Sequence, residues 1–263
     1  MNCIKCGYEL RENAKFCDSC GTPQLIANSA RGLRELTDED AKYFSNEKSR
    51  EKSSVHIKGF KIGRSLYLGP NCPSVVIEDC VFTATKDLKL SMCFIDYVTI
   101  QNCTFSGDFK NSFELEYCSN VKIINCQFED FKVPVWHVEK VKSMEISKCQ
   151  FRNCSVSGAG FIEGCIIDGY VSYEDDVNYC IRDSVFEKCI VTGAKDSKYQ
   201  SVISGAVTSV YDCRFKDCYR LYKSKGELIR NENFLFSSIR MKDAMNIEME
   251  NSAKFCDKHF PYL

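Results

Sequence analysis

The sequence lacks several features that commonly reveal a function. Its 35 basic and 36 acidic residues give a formal net charge of −1, and no block of like charge stands out. A general binder of nucleic acids or anionic membranes usually carries a basic excess, so we expect neither partner. No uninterrupted apolar run reaches the roughly 18 residues that a transmembrane helix needs. The opening Met-Asn-Cys-Ile-Lys-Cys does not look like a signal peptide, so we expect a cytoplasmic location.

Cysteine, by contrast, is abundant, with 18 residues in a chain of 263. Such a content in a short secreted protein would indicate disulfides, whereas cytoplasmic cysteines are usually thiols or metal ligands. The 44% apolar content is enough for a substantial core. The composition therefore predicts one large domain and a small appendage.

Two Cys-x-x-Cys pairs lie near the start of the chain, at Cys3 and Cys6 and at Cys17 and Cys20. Each pair has the spacing that bends a backbone around one ion, and together they supply four thiolates for a closed tetrahedral Zn²⁺ site. Such a site leaves no position for water or substrate, so we predict one structural ion. About twenty residues cannot bury a core, so metal binding would supply the folding free energy, on the order of 10 kcal/mol. A redox Cys-x-x-Cys motif and two disulfides are the alternatives.

Residues 1–24 resemble the short bacterial zinc-ribbon family. The resemblance rests on the four cysteines and on Gly7, Leu10, Ala14, Lys15, Phe16 and Gly21. It implies a structural zinc ribbon. Three basic residues in this segment are matched by three acidic ones, so the ribbon lacks the excess of positive charge that would indicate nucleic-acid binding. We expect a protein-docking module or a simple N-terminal fold.

Residues 25–54 form a polar linker with a predicted helix. Thr37 is followed by three acidic residues, which is typical of a helix N-terminus, and basic residues occur near Arg50. We predict a helix from about Asp38 to Arg50. It either presents a solvated face or covers the first coil of the next domain.

The pattern Ile-x-x-Cys-x-Phe recurs at one constant interval through the middle of the chain. Its copies lie at 77–82, 100–105, 123–128 and 146–151. This 23-residue period indicates a stacked architecture. Apolar residues alternate around each copy, and a second alternating segment lies upstream, as at Leu90 and Met92. The pattern predicts a mainly β fold, with one turn of a right-handed parallel β-helix per repeat.

Weaker copies of the motif extend the array to about eight coils. They lie at 57–62, 181–186, 210–215 and 229–234. We therefore predict a zinc ribbon over 1–24, the linker over 25–54, the β-helix over 55–236 and a C-terminal cap over 237–263.

Stacking places Cys80, Cys103, Cys126 and Cys149 over one another in the interior, with ladders of the motif Ile and Phe residues on either side. Cysteine packs well as a small hydrophobe, so we expect a ladder of buried free thiols. Disulfides between rungs and a second metal or redox site are the alternatives.

Residues 55–236 resemble the pectate-lyase-like β-helix superfamily and its NosD-type repeat. In those repeats an Asn commonly stands where this chain has the motif Cys, so we expect the usual Asn hydrogen-bond ladder to be absent. Enzymes of this fold use outward carboxylates, often with Ca²⁺. The resemblance therefore makes Glu114 and His137, on adjacent coils, weak candidates for an acid–base pair. A chance surface pair is the alternative.

Other outward positions give no sign of chemistry. Lys122, Glu145 and Arg182 occupy one column of the repeat, which we interpret as a ladder of weak surface ion pairs. His56 has no visible partner in the sequence.

The interval between successive motif copies becomes longer after Cys149. The next two intervals run from Cys149 to Ser184 and from Ser184 to Cys213, and both exceed the interval from Cys126 to Cys149. We expect two neighbouring insertions, near residues 157–173 and 192–199. Five candidate binding residues lie at or just after the end of the first, namely Tyr170, Tyr173, Glu174, Asp175 and Asp176. Insertions on rigid solenoids often form binding surfaces. A solvated acidic loop is the alternative.

These features favour a non-enzymatic cytoplasmic interaction or scaffold protein with a protein partner. A carbohydrate-active lyase or hydrolase is the second hypothesis, and it rests on fold resemblance alone. A rod that assembles end to end is the third.

Overall fold

The structure is a computed structural model that describes most of the solenoid. It describes Glu9 and residues 32–45, 54–70, 72–83, 88–108, 113–133, 136–139, 141–157, 178–193, 203–205, 207–224, 227–231, 236–238 and 243–250. In chain order the elements are β1 (Arg34–Glu35), α1 (Asp38–Ser45), β2 (Val55–Lys58), β3 (Phe60–Ile62), β4 (Leu66–Leu68), β5 (Ser74–Glu78), β6 (Val81–Thr83), β7 (Leu90–Cys93), β8 (Tyr97–Gln101), β9 (Thr104–Asp108), β10 (Phe113–Glu116), β11 (Asn120–Ile124), β12 (Gln127–Val133), β13 (Trp136–Glu139), β14 (Ser143–Ser147), β15 (Gln150–Arg152), β16 (Ser155–Ser157), β17 (Asn178–Arg182), β18 (Val185–Glu187), β19 (Ile190–Gly193), β20 (Ile203–Gly205), β21 (Val207–Tyr211), β22 (Arg214–Lys216), β23 (Tyr219–Ser224), β24 (Glu227–Asn231), β25 (Phe236–Ser238), β26 (Asp243–Met245) and β27 (Glu248–Glu250).

Most of the strands lie in three largely parallel sheets that wind around one core. Sheet 1 has the order β2-β5-β8-β11-β14-β17-β21-β26, and sheet 2 has the order β1-β3-β6-β9-β12-β15-β18-β22-β27 with β16, β19, β23 and β24 beside this path. Sheet 3 has the order β13-β10-β7-β4, and β20 pairs separately with β25. The eight strands of sheet 1 agree with the predicted count of about eight coils. The chain is thus a mainly β parallel solenoid, as predicted.

The constant interval of the repeat sets the register between coils. Ile77 pairs with Ile100, which pairs with Ile123, which in turn pairs with Ile146. Side chains alternate across a strand, so one residue of slippage would turn every isoleucine outward. In the core, Phe82, Phe105, Phe128, Phe151, Phe186 and Phe215 stack with ring centroids 4.5–4.8 Å apart.

The motif cysteines are buried free thiols, as predicted. Each thiol lies within hydrogen-bonding distance of two backbone carbonyl oxygens. The Cys126 Sγ, for example, lies 3.4 Å from the Ile124 oxygen in its own coil and 3.6 Å from the Ile100 oxygen in the preceding coil. Burial raises the pKa of the Cys126 thiol and raises that of Cys213 to about 12. The Cys126 and Cys213 thiols therefore pack as neutral side chains that also satisfy corner carbonyls.

An Asn and Asp ladder, which was not predicted, runs beside the cysteine ladder at the residue before each motif position. The residue before each motif cysteine has a positive φ, which Asn and Asp tolerate better than most side chains. Asn125 Nδ2 donates to Asn102 Oδ1 at 2.7 Å, and Asn102 Nδ2 donates to Asp79 Oδ1 at 3.3 Å. The polar ladder lies one residue upstream of the expected position, on the solvent side of the corner.

The linker covers the first coil, which was one of the two expectations for it. Helix α1 begins at Asp38, and Asp40 and Thr37 form reciprocal side-chain-to-backbone hydrogen bonds of 2.9 and 3.1 Å. Phe44 packs edge-on against Phe60 with centroids 5.9 Å apart, and β1 pairs with β3. Within the described ranges, no helix is long and apolar enough to span a membrane.

The predicted motif copy at 229–234 was wrong. Strand β24 pairs antiparallel with β23, so this segment is part of a hairpin and not a coil of the helix. The next coil is formed by β26 and β27, in which Ala244 pairs with Val210 and Met249 pairs with Phe215. The stack therefore includes residues that the sequence analysis placed in the cap. The coil that ends in β26 and β27 is a third long coil, in addition to the two that were predicted.

Candidate functional site

The outward face of sheet 3 carries a group of polar side chains between coils. Leu90, Met92, Phe113 and Leu115 point into the core. The alternating positions of β7 and β10 therefore place Ser91, Cys93, Glu114 and Glu116 on the opposite face of the sheet. On that face Ser91 is buried and the other three are half-buried. The predicted candidates Glu114 and His137 occupy paired positions on β10 and β13. The side chain of His137 lies outside the described part, so their acid–base pairing stays a prediction.

The carboxylate of Glu114 is engaged by a lysine from the preceding coil. Lys89 Nζ lies 2.8 Å from Glu114 Oε2, and this hydrogen bond raises the pKa of Lys89. A neighbouring ammonium favours the ionised carboxylate over the protonated acid. Glu114 is thus an ion-pair partner of Lys89 on this face of the sheet.

The carboxylate of Glu116 lies beside a thiol. Cys93 Sγ lies 3.7 Å from Glu116 Oε2 and 3.3 Å from Ser91 Oγ. Burial raises the pKa of the Cys93 thiol. The thiol thus supplies a weak hydrogen bond to the Glu116 carboxylate.

Two exposed aromatic rings follow these residues where the chain turns from sheet 3 to sheet 1. Phe94 and Tyr117, which we call the aromatic corner, stack with centroids 4.5 Å apart and an interplanar angle of 11°. Phe94 is 55% exposed and Tyr117 is 38% exposed. Both have a positive φ, of 56° and 53°, which is unusual for a bulky side chain. The buried residues Ile95 and Cys118 that follow them anchor the turn.

Acidic residues flank the aromatic corner along the chain. Asp96 comes two residues after Phe94 and accepts a hydrogen bond from Ser119 Oγ at 3.5 Å. Glu116 directly precedes Tyr117. Tyr97, which follows Asp96, is a further aromatic residue and is 60% exposed.

The aromatic corner was not predicted from the sequence, although a signal was present. The interval from Phe94 to Tyr117 equals the interval from Cys80 to Cys103, so the two rings occupy the same position in successive coils. Each precedes a buried residue by one position, which marks an outward side chain. An outward aromatic pair at the repeat interval needs a reason other than core packing.

Most of the predicted site residues lie outside the described part of the structure. These are Cys3, Cys6, Cys17 and Cys20, and the loop residues Tyr170, Tyr173, Glu174, Asp175 and Asp176. The strands that lead into the two predicted insertions do pair, with Ser157 opposite Thr192. Among the residues whose structure is described, no three or more His, Cys, Asp or Glu form a metal-binding group.

Other outward polar side chains pair with one another along sheet 1. His56 Nε2 lies 3.1 Å from Glu78 Oε1, so the expectation that His56 has no partner was wrong. Arg182 Nη2 lies 2.7 Å from Glu145 Oε1, in agreement with the predicted ladder of paired charges. Exposed pairs of this kind contribute little to stability, and they have no arrangement that indicates chemistry.

Comparison with known families supports the two-part organisation. Residues 50–173 match the family described as a right handed beta helix region, and residues 2–24 match the family described as a zinc-ribbon domain. The chain therefore contains a right-handed β-helix region and an N-terminal zinc-ribbon domain, as predicted. A zinc-ribbon domain indicates zinc binding. No curated protein and no solved structure matches the chain.

Proposed function

We propose that this chain, which joins a zinc-ribbon domain to a right-handed β-helix region, is a non-enzymatic cytoplasmic interaction protein. In this proposal the β-helix is a rigid support that presents a binding surface to a protein partner. The observation that carries the proposal is the aromatic corner, Phe94 and Tyr117, whose two rings are stacked and exposed. Exposed aromatic groups on a rigid frame are typical of interaction surfaces.

The ladders support this role because they fix the position of each outward side chain. The stacked phenylalanines, the buried thiols and the Asn and Asp ladder repeat in successive coils. A surface held in this way loses little conformational entropy on binding. The two predicted insertions, with the candidate residues Tyr170, Tyr173, Glu174, Asp175 and Asp176, would add a second contact region.

We further propose that Cys3, Cys6, Cys17 and Cys20 bind one structural Zn²⁺. Four thiolates complete a tetrahedral shell, so the metal would order the N-terminal segment and would not bind substrate. Metal analysis of the purified chain should find one zinc per molecule. Cys17→Ser should lower this content strongly, whereas Cys93→Ser should leave it unchanged. Full zinc content in Cys17→Ser would contradict the assignment.

The interaction role can be tested by affinity capture from native lysate. The bait is the full chain, compared with a form lacking residues 1–24, a form with residues 170–176 replaced, and the double variant Phe94→Asn, Tyr117→Asn. We expect a specific partner with the full chain and its loss in at least one variant. Failure of every form to retain a partner would overturn the proposal.

A carbohydrate-active enzyme is the second candidate, because Glu114 and Glu116 lie on one outward face near exposed rings that can stack on sugars. The Lys89 ion pair argues against Glu114 as a general acid. Turnover on a panel of polysaccharides that disappears in Glu114→Gln would favour this candidate. Equal turnover in Glu114→Gln would exclude Glu114 as its catalytic group.

A further inference from the structure

The segment Arg34–Ser45, which we call the N-terminal cap, lies on the edge of the first coil where a preceding coil would lie. Strand β1 pairs parallel with β3, and this pairing places Glu35 opposite Lys61. Leu36, the next residue, donates its backbone N–H to the Lys61 oxygen at 2.9 Å and is buried. Along the main path of sheet 2, the same parallel pairing joins successive coils. The N-terminal cap thus takes the place of one strand of a coil.

The charge of the N-terminal cap matches that of the first coil. Residues 55–70 contain no Asp or Glu, and their basic and histidine residues are His56, Lys58, Lys61 and Arg64. His56 and Lys58 pair with Glu78 of the second coil. Glu35 Oε1 of the N-terminal cap lies 3.7 Å from Lys61 Nζ, and Asp38 forms an ion pair with Arg64. Acidic side chains of the N-terminal cap therefore contact the other two basic side chains of the first coil.

The last coil ends sheet 2 with an acidic residue in the same column as Lys61. From Lys61 the column continues through Val81, Thr104, Gln127, Gln150, Val185 and Arg214 to Glu248. The side chain of Glu248 is 78% exposed, and its Oε2 lies 4.0 Å from Arg214 Nε of the preceding coil. Among the described residues, no strand pairs with the outer edge of β27.

Strands β1 and β27 offer the same sequence of residue types to a neighbouring strand. In β1 the acidic Glu35 is followed by the apolar Leu36, and in β27 the acidic Glu248 is followed by the apolar Met249. Met249 occupies the column of the stacked phenylalanines, and Ile62 begins that column in the first coil. In-register pairing of β27 from a second copy with β3 would place Glu248 opposite Lys61 and Met249 opposite Ile62.

We infer that the first coil binds the last coil of a second copy, head to tail, and that the N-terminal cap blocks this contact by occupying the same edge. An open sheet edge carries unpaired N–H and C=O groups that can pair with another strand. The contact joins two different surfaces of the chain, so it can repeat from copy to copy. The N-terminal cap belongs to the same chain, and its high effective concentration favours the closed form. This self-association goes beyond the proposed interaction role.

The first test weakens the N-terminal cap and measures association. Leu36→Ala together with Phe44→Ala removes the two buried apolar side chains of the N-terminal cap, and we call this double variant the cap-weakened chain. Sedimentation velocity over a range of concentrations compares it with the unmodified chain. We expect the cap-weakened chain to associate at least about tenfold more tightly.

The second test reverses one charge at each end. In the cap-weakened chain, Lys61→Glu and Glu248→Lys should each weaken association about tenfold, because two like charges then face each other. An equimolar mixture of these two chains should associate again, since every first coil can then meet a last coil of opposite charge. Glu129→Lys, at an exposed position of sheet 2, is the matched control and should leave the association of the cap-weakened chain unchanged.

Circular dichroism of each chain establishes that it is folded before association is compared. A folded cap-weakened chain that stays monomeric would overturn the inference, and this is the result expected if residues 251–263 take the edge of β27. Association that survives both charge reversals, or a mixture that does not associate again, would also overturn it, because neither agrees with head-to-tail contact. The interaction role is tested separately, by capture of a different protein.

Discussion

Asn125 donates its side-chain amide to Asn102 Oδ1 at 2.7 Å, and this contact joins two coils at the solvent side of a corner. Both residues have a positive φ, of 55° and 54°. The same two residues therefore accommodate an unfavourable backbone conformation and link successive turns of the solenoid.

Replacement of Asn125 separates these two contributions. Asn125→Ala loses the hydrogen bond and places an ordinary side chain at positive φ, which together should cost about 1–3 kcal/mol of unfolding free energy. Asn125→Gly loses the bond but tolerates the backbone, so it should be less destabilising. Urea denaturation of the three proteins checks this order. If Asn125→Gly is the least stable of the three proteins, the positive φ at residue 125 does not contribute to stability as we expect.

A serine should be tolerated at one position of the cysteine ladder. In the motif copy at 181–186, Ser184 naturally occupies the position of the cysteine. Ser184 is buried, and its hydroxyl donates to the Arg182 oxygen at 2.8 Å. Cys126→Ser should therefore fold and lose no more than about 1–3 kcal/mol. Cys126→Val is apolar but bulkier and cannot donate, so we expect a larger loss. Thermal unfolding followed by circular dichroism compares the two, and a more stable Cys126→Val would contradict the role of the thiol as a donor.

Phe44 seals the first coil, and its removal should promote association. Its ring packs on Phe60, and Phe44→Ala should expose apolar surface at the end of the stack. We expect sedimentation to show concentration-dependent association of Phe44→Ala. The matched control is Tyr43→Ala, because Tyr43 is the adjacent residue and is 70% exposed. Identical sedimentation of the two variants would show that α1 does not limit end-to-end contact.

Glu78 should contribute to the acid sensitivity of the fold. A hydrogen bond from Lys58, followed by one from Gln101, lowers the pKa of Glu78 from 4.5 to about 2. Because the folded pKa is lower than the unfolded value, the stabilisation is present above about pH 4.5 and is lost as the pH falls towards 2. Glu78→Gln should therefore flatten the fall in stability over this range.

The control for this titration is Glu129→Gln, at an exposed position of sheet 2. Stability measured by urea denaturation at several pH values should fall with acid in this control as in the unmodified chain. An unchanged acid profile in Glu78→Gln would show that other carboxylates determine it.

The sequence was most informative where the repeat was regular. The constant interval predicted that Ile77 and Ile100 stack, that Cys80 and Cys103 are buried, and that the phenylalanines form a ladder, and the structure confirms each point. These predictions succeeded because period-two alternation and a constant coil length together fix the inward side of every strand.

The false copy at 229–234 shows where pattern matching is insufficient. The step from Val210 to Ile229 is nearly as long as the step from Ile57 to Ile77, and the latter two residues do pair in a genuine coil. Spacing therefore could not exclude the copy. A strand of similar composition serves equally well in an antiparallel hairpin, and only the pairing of β24 with β23 distinguishes the two arrangements.

The sequence by itself determined the stacked β architecture, the inward ladders and the presence of a zinc-ribbon domain, because these depend on spacing along one chain. The tertiary structure decided which outward residues meet. It paired Glu114 with Lys89, placed Glu116 beside Cys93, and brought Phe94 and Tyr117 into an exposed stack. Such contacts depend on corner geometry and on side-chain reach between coils, and neither quantity is set by the interval of the repeat.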